Sequence, residues 1–422
     1  MSNSEDRGIS RRVMLGGAAA LAGAGLVRTP VAFADNAPAP LNVEAVASQL
    51  DSGLIALRRD IRCHPEVAGQ ERRTAGLVAQ RLRSAGLAVT TGVGGHGVVG
   101  VLKGARPGRT VAYRADMDAV PPDAQIPGGL DAAHVCGHDI HTTVGVGVAE
   151  VLARLRDRMA GTVVFIFQPA EESLAGAAAM LADGVLRATR PSEIHAMHCA
   201  GFSVGKFAVT PGFGMPGLDR GTITLTGSDA MGQAQRLARE ISELGTVSFP
   251  STPEDLERVT AEIQIPNGPL AQFIFMRTNV PDGQAAVSVS YRCWPESRYR
   301  DVRADIRRLA QSYNGATVSF PDDPFPAMHC PEREGRAIRQ YLRQAFGHDN
   351  VATLHAAIPF NGEDFALFLD QIPGTYTFLG VRAPGAAIET SYPHFGTFTP
   401  DERAIGYGVR AMAGWLASRI RP

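Results

Sequence analysis

Apolar residues recur at helical spacing in the first part of the folded chain and then give way to short apolar runs. Between 43 and 87, the strings VEAVASQLDSGLIALRRDIR and RRTAGLVAQRLRSAGL predict helices, the second of which stops at Gly86. VVGVL, TVAYRAD and GTVVFIFQP predict strands, whereas TVGVGVAEVLARLRD and GAAAMLADGVL predict helices. This alternation is typical of an α/β fold with a mostly parallel sheet and helices on both faces.

The pattern changes near Pro211. From there to about Pro324 the chain alternates the strand-like strings TITLTG, AEIQI, AQFIFMR and AAVSVSYRCW with helical patterns around 234–244 and 302–312. Helical patterns near 332–346 and 401–420 follow. We therefore expect a catalytic domain in two segments, 35–216 and 325–422, interrupted by a smaller α+β unit at 217–324, which we call the lid.

The first 34 residues have the features of an export signal. SRRVML precedes an apolar run from Val13 to Val27, and AFA precedes Asp35. A twin arginine, a short apolar segment and an A-x-A site resemble a twin-arginine (Tat) signal peptide, which predicts a periplasmic or extracellular location. A retained anchor is the alternative, but about 15 Ala- and Gly-rich residues fall short of the ~20 that span a bilayer. We expect no stable membrane insertion.

Composition and charge exclude some classes of partner. The 422 residues carry a formal net charge of −1 without a block of like charges, so neither nucleic acid nor an anionic membrane is an expected partner. The chain has five cysteines, Cys63, Cys136, Cys199, Cys293 and Cys330. If Cys136 binds metal, the other four either pair in an oxidising compartment or stay reduced and buried.

Five polar clusters carry the candidate chemistry, four of them at the ends of predicted strands, where open α/β sheets bind ligands. They are YRADMDAVP (113–121), HVCGHDIH (134–141), FQPAEES (167–173), HAMHCAG (195–201) and YPHFGTF (392–398).

Glu171 and Glu172 form a carboxylate pair directly after an apolar strand. Adjacent buried anions repel each other and lose solvation, so a divalent metal beside them would explain the pair. One carboxylate could then bind metal while the other takes a proton from water. The alternative is a solvated acidic pair at the start of the next helix.

Cys136 and His138 are separated by one residue, so they could reach one metal ion or two neighbouring ions. Thiolate and imidazole suit zinc or another first-row ion. The alternative is a buried cysteine beside a hydrogen-bonded histidine. The combination of this pair with Glu171-Glu172, His198 and His394 favours a metal site.

Residues 55–216 and 325–410 resemble the amidohydrolase branch of the co-catalytic metallopeptidases. This group includes hippurate hydrolase, N-acyl-amino-acid amidohydrolases and plant auxin-conjugate hydrolases. The matching strings are RRDIRCHPEVAGQERRTA, RADMDAVP, HVCGHDIHTT, FQPAEES, NGEDF and YPHFGTFTPDE, in the family's order.

The resemblance implies a two-metal centre. It makes metal ligands of Cys136, His138, Glu172, His198 and His394. It also implies that Cys136 bridges the metals, that Glu171 is the general base, and that Asp116 and Asp118 orient ligand imidazoles. Two divalent ions are expected, zinc or manganese first, with cobalt or nickel also compatible. His134, His141 and His195 flank the ligands and are expected to be structural.

The lid departs from the family pattern. Relatives carry a histidine in a glycine-rich stretch that reaches the partner subunit's site, but here the stretch reads TGSDAMGQAQ (226–235), and no histidine lies between His198 and His329. This absence bears on turnover and weakens the inference of a lid-mediated homodimer. TNVPDGQAAVSVSYR resembles the family's substrate-contacting strand and implies that Asn279 and Arg292 contact a substrate carboxylate. A surface arginine is the alternative for Arg292.

These expectations combine into an exported amidohydrolase that cleaves the amide bond of N-acyl amino acids or similar small conjugates. It would use metal-activated water, with Glu171 as the base. A dipeptidase or aminoacylase of the same fold is the first alternative. The second is a metal- or ligand-binding relative with little turnover, which the missing lid histidine favours and the retained Glu171 disfavours.

Overall fold

The computed structural model describes residues 42–421, and the predicted signal at 1–34 lies outside this range. The described range contains these helices: α1 Val43–Ser48, α2 Asp51–Arg62, α3 Arg72–Ser84, α4 His138–Arg154, α5 Gly176–Ala182, α6 Val185–Thr189, α7 Ala230–Ser242, α8 Pro253–Glu262, α9 Arg298–Ala310, α10 Glu332–Phe346, α11 Ala366–Leu369 and α12 Arg403–Arg419. In residues 42–421, no helix is both long enough and apolar enough to cross a membrane.

The strands form two main sheets and one small pair. The strands are β1 Ala88–Val93, β2 Gly97–Lys103, β3 Arg106–Asp116, β4 Ala160–Gln168, β5 Ile194–Ser203, β6 Phe207–Val209, β7 Gly214–Met215, β8 Asp219–Thr224, β9 Phe273–Asn279, β10 Ala286–Trp294, β11 Thr317–Ser319, β12 Met328–His329, β13 Val351–Thr353 and β14 Gly374–Arg382. The first sheet has the order β1-β2-β4-β3-β5-β14-β6-β13, and the second has the order β11-β8-β10-β9. β7 and β12 pair separately.

The centre of the first sheet is parallel, as predicted. β3 pairs in parallel with β4 and β5, and β5 pairs in parallel with β14, whereas β1, β2 and β6 add antiparallel neighbours. On β4, Phe165 and Phe167 pack in the core beneath α2, α4 and α12, whereas Val164 and Ile166 pack in the core beneath α5 and α11. The strand is continuously apolar because helices cover both of its faces.

The second sheet is antiparallel and has one helix-covered face. Ile223, Val287 and Val289 pack with the apolar residues of α7 and α9. Its strands all lie between 219 and 319, whereas the first sheet takes strands from both sides of that segment. On this topology we base our proposal that 217–324 form an inserted unit.

Most predicted helices are present, but the lid differs in one element. AEIQI, which the alternating pattern assigns to a strand, lies at the end of α8 and in the turn after it. Thr252 caps α8 by accepting a hydrogen bond from the Asp255 N–H at 3.1 Å, and Pro253 opens the helix. A Thr-Pro-Glu-Asp start is a local helix signal that outweighs the short apolar alternation.

Candidate metal centre

The polar clusters converge at one edge of the first sheet. β3 ends at Asp116 and β4 ends at Gln168, three residues before Glu171, while His198 lies on β5. β3 lies between β4 and β5 in the sheet, and all three run in the same direction. Their carboxyl ends therefore bring distant parts of the chain together, as expected for an open α/β sheet.

A turn at the start of α4 adds the cysteine and the first histidine. Gly137 precedes the helix with φ +96°, a conformation that L-residues with a side chain rarely adopt. A Cβ at Gly137 would lie 2.8 Å from Cys199 Sγ. A glycine is needed here for both reasons, and the turn directs Cys136 and His138 to the same site.

The predicted ligands form two groups that share Cys136. In the first, Cys136, His138 and His198 offer ligand atoms within 4.8 Å of one another, and Cys136 Sγ lies 3.4 Å from His198 Nε2. In the second, Cys136, Glu172 and His394 do the same, and His394 Nε2 lies 3.4 Å from Glu172 Oε2. The structure thus brings together all five predicted ligands.

The three histidines of these groups are oriented in the same way. Nδ1 of His138 lies 2.8 Å from the Asp118 carbonyl oxygen, Nδ1 of His198 lies 2.7 Å from that of Cys199, and Nδ1 of His394 lies 3.1 Å from that of Ala124. A carbonyl oxygen can only accept, so each Nδ1 carries the proton. In the neutral imidazole, each Nε2 then keeps its lone pair, which is the form that binds metal.

Several buried polar atoms in the cluster have no hydrogen-bond partner within residues 42–421. They are His138 Nε2, Glu172 Oε1 and Asp118 Oδ1. His138 Nε2 also lies 3.7 Å from both Glu171 Oε2 and Glu172 Oε1. Unpaired buried acceptors are costly, and a divalent cation would satisfy His138 Nε2 and Glu172 Oε1 together. The donor set of thiolate, imidazole and carboxylate therefore fits a first-row metal.

The acidic groups crowd each other in the absence of such a cation. Burial raises the pKa of Glu171 well above its usual range, and Glu363, Glu172 and Asp364 act in the same direction against Arg114. Burial likewise raises the pKa of the Cys136 thiol, with Glu172 and Glu171 adding to the effect. Bound cations would favour the ionised forms of these groups.

Two of the three flanking histidines, His141 and His195, have hydrogen-bond partners of their own, whereas both ring nitrogens of buried His134 have none among the described residues. Both nitrogens of His141 are used, since Nδ1 lies 2.6 Å from Asp116 Oδ1 and Nε2 accepts from the Cys199 N–H at 2.8 Å. His195 Nδ1 lies 2.8 Å from Thr375 Oγ1. His134 is buried and belongs to none of the potential metal-binding groups among the described residues. His141 also belongs to a possible metal-binding group with Asp116 and His138. The structural roles of the three histidines stay a prediction.

Asp116 and Asp118 also touch the cluster. Asp116 Oδ2 lies 3.8 Å from His138 Nε2 and accepts a hydrogen bond from Arg114. Asp118 holds the first histidine through its carbonyl, and its carboxylate oxygen Oδ2 accepts from the Glu172 N–H at 2.9 Å. The two aspartates are therefore placed to orient the proposed ligands.

A buried ion network supports the site and was not predicted from the sequence. Arg114 donates to Glu363 Oε1 at 2.9 Å and to Asp364 Oδ1 at 3.0 Å, and its Nε donates to Gln168 Oε1 at 2.8 Å. Gln168 Nε2 in turn donates to the Asp364 carboxylate at 2.7 and 2.8 Å. The acidic pair in NGEDF was the available signal, since adjacent acids within an otherwise apolar segment need buried partners.

The two predicted substrate-contacting residues lie in different places. Arg292 lines a cleft of about 630 Å³ together with Cys136, Glu171 and His394. Asn279 instead lines a second cavity, of about 950 Å³, on the second sheet. The stretch 226–235, where relatives carry the lid histidine, forms the turn before α7 and its first residues.

The sequence is similar to those of several known proteins. The sequence profile of peptidase family M20/M25/M40 matches residues 112–418. An N-acetylcysteine deacetylase of Bacillus subtilis is 30% identical over 83% of this chain and 93% of its own. An IAA-amino acid hydrolase (ILR1-like 5) of Arabidopsis thaliana is 28% identical over 90% of each chain.

The fold also matches a solved structure. The YxeP protein of Bacillus subtilis, described as a dinuclear metal-binding peptidase from the M20 family, is 27% identical and covers 88% of this chain and 99% of its own, with a TM-score of 0.67. The resemblance inferred from the motifs and the predicted fold class are both confirmed. The chain belongs to peptidase family M20/M25/M40 and is a hydrolase of amide bonds.

Proposed function

We propose that the protein is a metal-dependent amidohydrolase that cleaves N-acyl amino acids or similar small conjugates. The observation that carries this proposal is the pair of ligand groups that share Cys136 within a cleft that also contains Glu171. The relatives named as an N-acetylcysteine deacetylase and an IAA-amino acid hydrolase act on substrates of this class by name.

The two groups suggest which residues would hold each cation. Cys136 would serve both, with His138 and His198 completing one site and Glu172 and His394 completing the other. Bound cations would supply polarisation of the amide carbonyl and acidification of a water molecule. The thiolate and imidazoles suit zinc and the carboxylate suits manganese, so these two are our first choices, and cobalt or nickel also suits the donors.

Glu171 is the residue that we assign to proton transfer. It is buried beside Glu172 and lines the cleft, so it can take a proton from the attacking water and return it to the leaving amine. Neither group of three ligands around Cys136 contains it, although it also forms a possible group with His138 and Glu172. We assign it to proton transfer because both groups around Cys136 are complete without it.

The remaining walls of the cleft suggest how a substrate would lie. Met215, Phe249 and Phe360 provide an apolar surface for an acyl group. Arg292 provides a cation for a carboxylate on the amine half. Asn279 would contact substrate only from its separate cavity on the second sheet.

Two expectations about cellular context are also part of this proposal. On the basis of residues 1–34, we propose export by the Tat route. We also propose a small-molecule amide as the binding partner, and neither nucleic acid nor stable membrane insertion is part of the proposal. The lid lacks the histidine that would reach a partner subunit, which weakens the inference of a lid-mediated homodimer.

The Glu171→Gln variant tests the proposed function. We expect the wild-type chain to hold about two metal ions and to hydrolyse members of a panel of N-acyl amino acids, with activity lost on chelation. The variant should keep its metal but lose at least about 10²-fold in kcat, since it lacks the base. Metal content is measured by elemental analysis and turnover by amine release.

The alternatives predict different results. Hydrolysis of dipeptides in preference to acyl amino acids would indicate the dipeptidase. Bound metal without turnover on any substrate in the wild type would indicate a binding relative, for which the absent lid histidine would be a sufficient reason.

A further inference from the structure

Within residues 42–421, the second sheet has a face that α7 and α9 do not cover. One end of this face is apolar, with Phe273, Phe275 and Trp294, and the rest is polar. The register of β8, β9, β10 and β11 puts the following side chains on that face: Arg220, Thr222, Thr224, Arg277, Asn279, Ser288, Ser290, Arg292, Thr317 and Ser319. Serine, threonine and asparagine contribute hydrogen-bonding groups, and the charged members are all arginines. Such a surface suits an anion.

Three arginines on this face, which we call the arginine strip, are close to one another. Arg220 and Arg277 both pair with Ser290, from opposite sides, and Arg292 follows Ser290 by two residues on β10. From strand spacing, Arg220 and Arg277 are about 10 Å apart at Cα, and Arg292 is about 7 Å further along the sheet. The arginine strip is therefore longer than a single anionic group.

No carboxylate of residues 42–421 forms an ion pair with the arginine strip. Arg292 donates only to the Gly217 carbonyl, at 3.1 Å, and the guanidinium of Arg277 lies over the rings of Phe249 and Phe275 at 5.6 and 5.1 Å. Most other arginines near the site have acidic partners, as Arg114 does. The strip therefore carries positive charge that is available to a ligand.

The strip lies at the cleft that contains the proposed metal ligands. Arg220, Arg277 and Arg292 all line this cleft, as do Glu171 and His394. Burial lowers the pKa of Arg292 to about 10, and Arg220 and Arg277 act in the same direction. An anion placed among the three would relieve their repulsion. Arg220 and Arg277 also line the adjoining cavity, whose lining contains no acidic residue.

We propose that the enzyme selects amides whose amine half carries two carboxylates, as in N-acylglutamate or N-acylaspartate. Arg292 binds the carboxylate next to the scissile amide, and Arg220 and Arg277 bind the second, more distant carboxylate. The separation of the arginines along and across the sheet matches two carboxylates better than one phosphate. This inference rests on the proposed function, since it names the substrate class of the same cleft.

Binding to the metal-loaded Glu171→Gln protein tests the inference separately from turnover. The probes are N-benzoyl-L-glutamate and N-benzoyl-L-glutamine, which have nearly the same shape and differ by one charge. We expect the glutamate compound to bind at least about 10-fold more tightly in calorimetry, because charge-assisted hydrogen bonds contribute that much. Adding Arg220→Gln and Arg277→Gln together should remove this difference and leave binding of the glutamine compound within about 2-fold.

Arg300→Gln, an exposed position on α9, is the matched control and should preserve the difference. Equal affinities for the two probes, no binding of the glutamate probe at millimolar concentration, or a difference that survives the double substitution would overturn the inference. Wild-type protein that hydrolyses neither probe nor any acyl amino acid, while the charge preference remains, would count against the proposed function and not against the arginine strip.

Discussion

His138 and His141 lie three positions apart on α4, yet their contacts differ. His138 has Nδ1 on a carbonyl oxygen and no partner on Nε2, whereas His141 uses both nitrogens within the protein. Residue type and spacing are therefore poor guides to which histidine binds metal. The hydrogen bonds of Nδ1 and Nε2 distinguish the two histidines, because they determine whether a lone pair is left for the proposed metal.

His195 illustrates a histidine that is buried for structure. It lies edge-on to Trp415, with ring centroids 5.5 Å apart, and Nδ1 contacts Thr375. Burial lowers the pKa of His195 to about 4, and Arg419 and Arg109 act in the same direction against Glu193. Since an unfolded histidine titrates near 6.5, the unfolded chain binds the extra proton between about pH 6.5 and pH 4.

His195 should therefore destabilise the protein as the pH falls. The free energy of unfolding is not reduced by His195 above about pH 6.5. Toward pH 4 it falls by up to about 1.4 kcal/mol per pH unit, because protonation of His195 favours the unfolded chain. The His195→Gln variant should lose this part of the slope, measured as the free energy of unfolding in urea at several pH values. His348→Gln, at an exposed position, is the control. Parallel pH profiles for wild type and His195→Gln would contradict the prediction.

At the scale of elements, the site depends on where strands end and where one helix begins. β3, β4 and β5 supply their carboxyl ends, and the turn at Gly137 starts α4 with His138 as its first residue. The Arg114 network ties the ends of β3 and β4 to the segment before α11. The positions of the proposed ligands therefore depend on where these strands end and where α4 begins.

Gly137→Ala should perturb both stability and metal binding. The left-handed φ costs about 1–2 kcal/mol for a residue with a Cβ, and the contact with Cys199 Sγ adds to it, so we expect a loss of about 2 kcal/mol or more. Metal affinity should fall about 10-fold or more, because Cys136 and His138 flank the turn. Urea unfolding and competition with a chelator measure the two effects.

Gly212→Ala provides the comparison, since Gly212 has φ +79° and nothing within 4 Å of its added Cβ. It should show only the backbone cost and bind metal normally. If both alanine variants bound metal equally well, the contact at Cys199 would have no role in positioning the ligands.

At the scale of the whole molecule, the cleft lies between the two main sheets. The first sheet contributes the proposed ligands and the base, and the second contributes the arginine strip. Arg292 contacts the proposed catalytic domain at Gly362, where an added Cβ would lie 2.3 Å from Nη1 of the arginine. The acidic pair Glu363-Asp364 follows immediately, so the same segment contacts both the arginine strip and the Arg114 network.

Gly362→Ala should displace Arg292 and weaken substrate binding without removing metal. We expect KM to rise about 10-fold, as one charge-assisted contact is lost, with metal content unchanged. Steady-state kinetics and elemental analysis measure this. Gly396→Ala, whose added Cβ has its nearest contact at 3.6 Å, is the control. An unchanged KM in Gly362→Ala would show that Arg292 does not contact substrate.

The sequence alone determined the fold class and the candidate ligands. The alternation of strands and helices, the continuous apolar run of β4, and the Cys136-x-His138 and Glu171-Glu172 pairs are all properties of neighbouring residues. Helix α10 could be located closely for the same reason. The end of α8 was assigned to a strand because AEIQI alternates like one, and the helix start specified by the cap at Thr252 was overlooked.

Only the tertiary structure decided which groups meet and in which state. The carbonyl that orients His394 belongs to Ala124, 270 positions away, and Arg114 meets Glu363 across 249 positions. The separation of Asn279 from Arg292 follows from strand register, which no local pattern encodes. Hydrogen bonds, burial and charge depend on neighbours in space, so a chain read residue by residue names candidate ligands, but the fold determines what each can do.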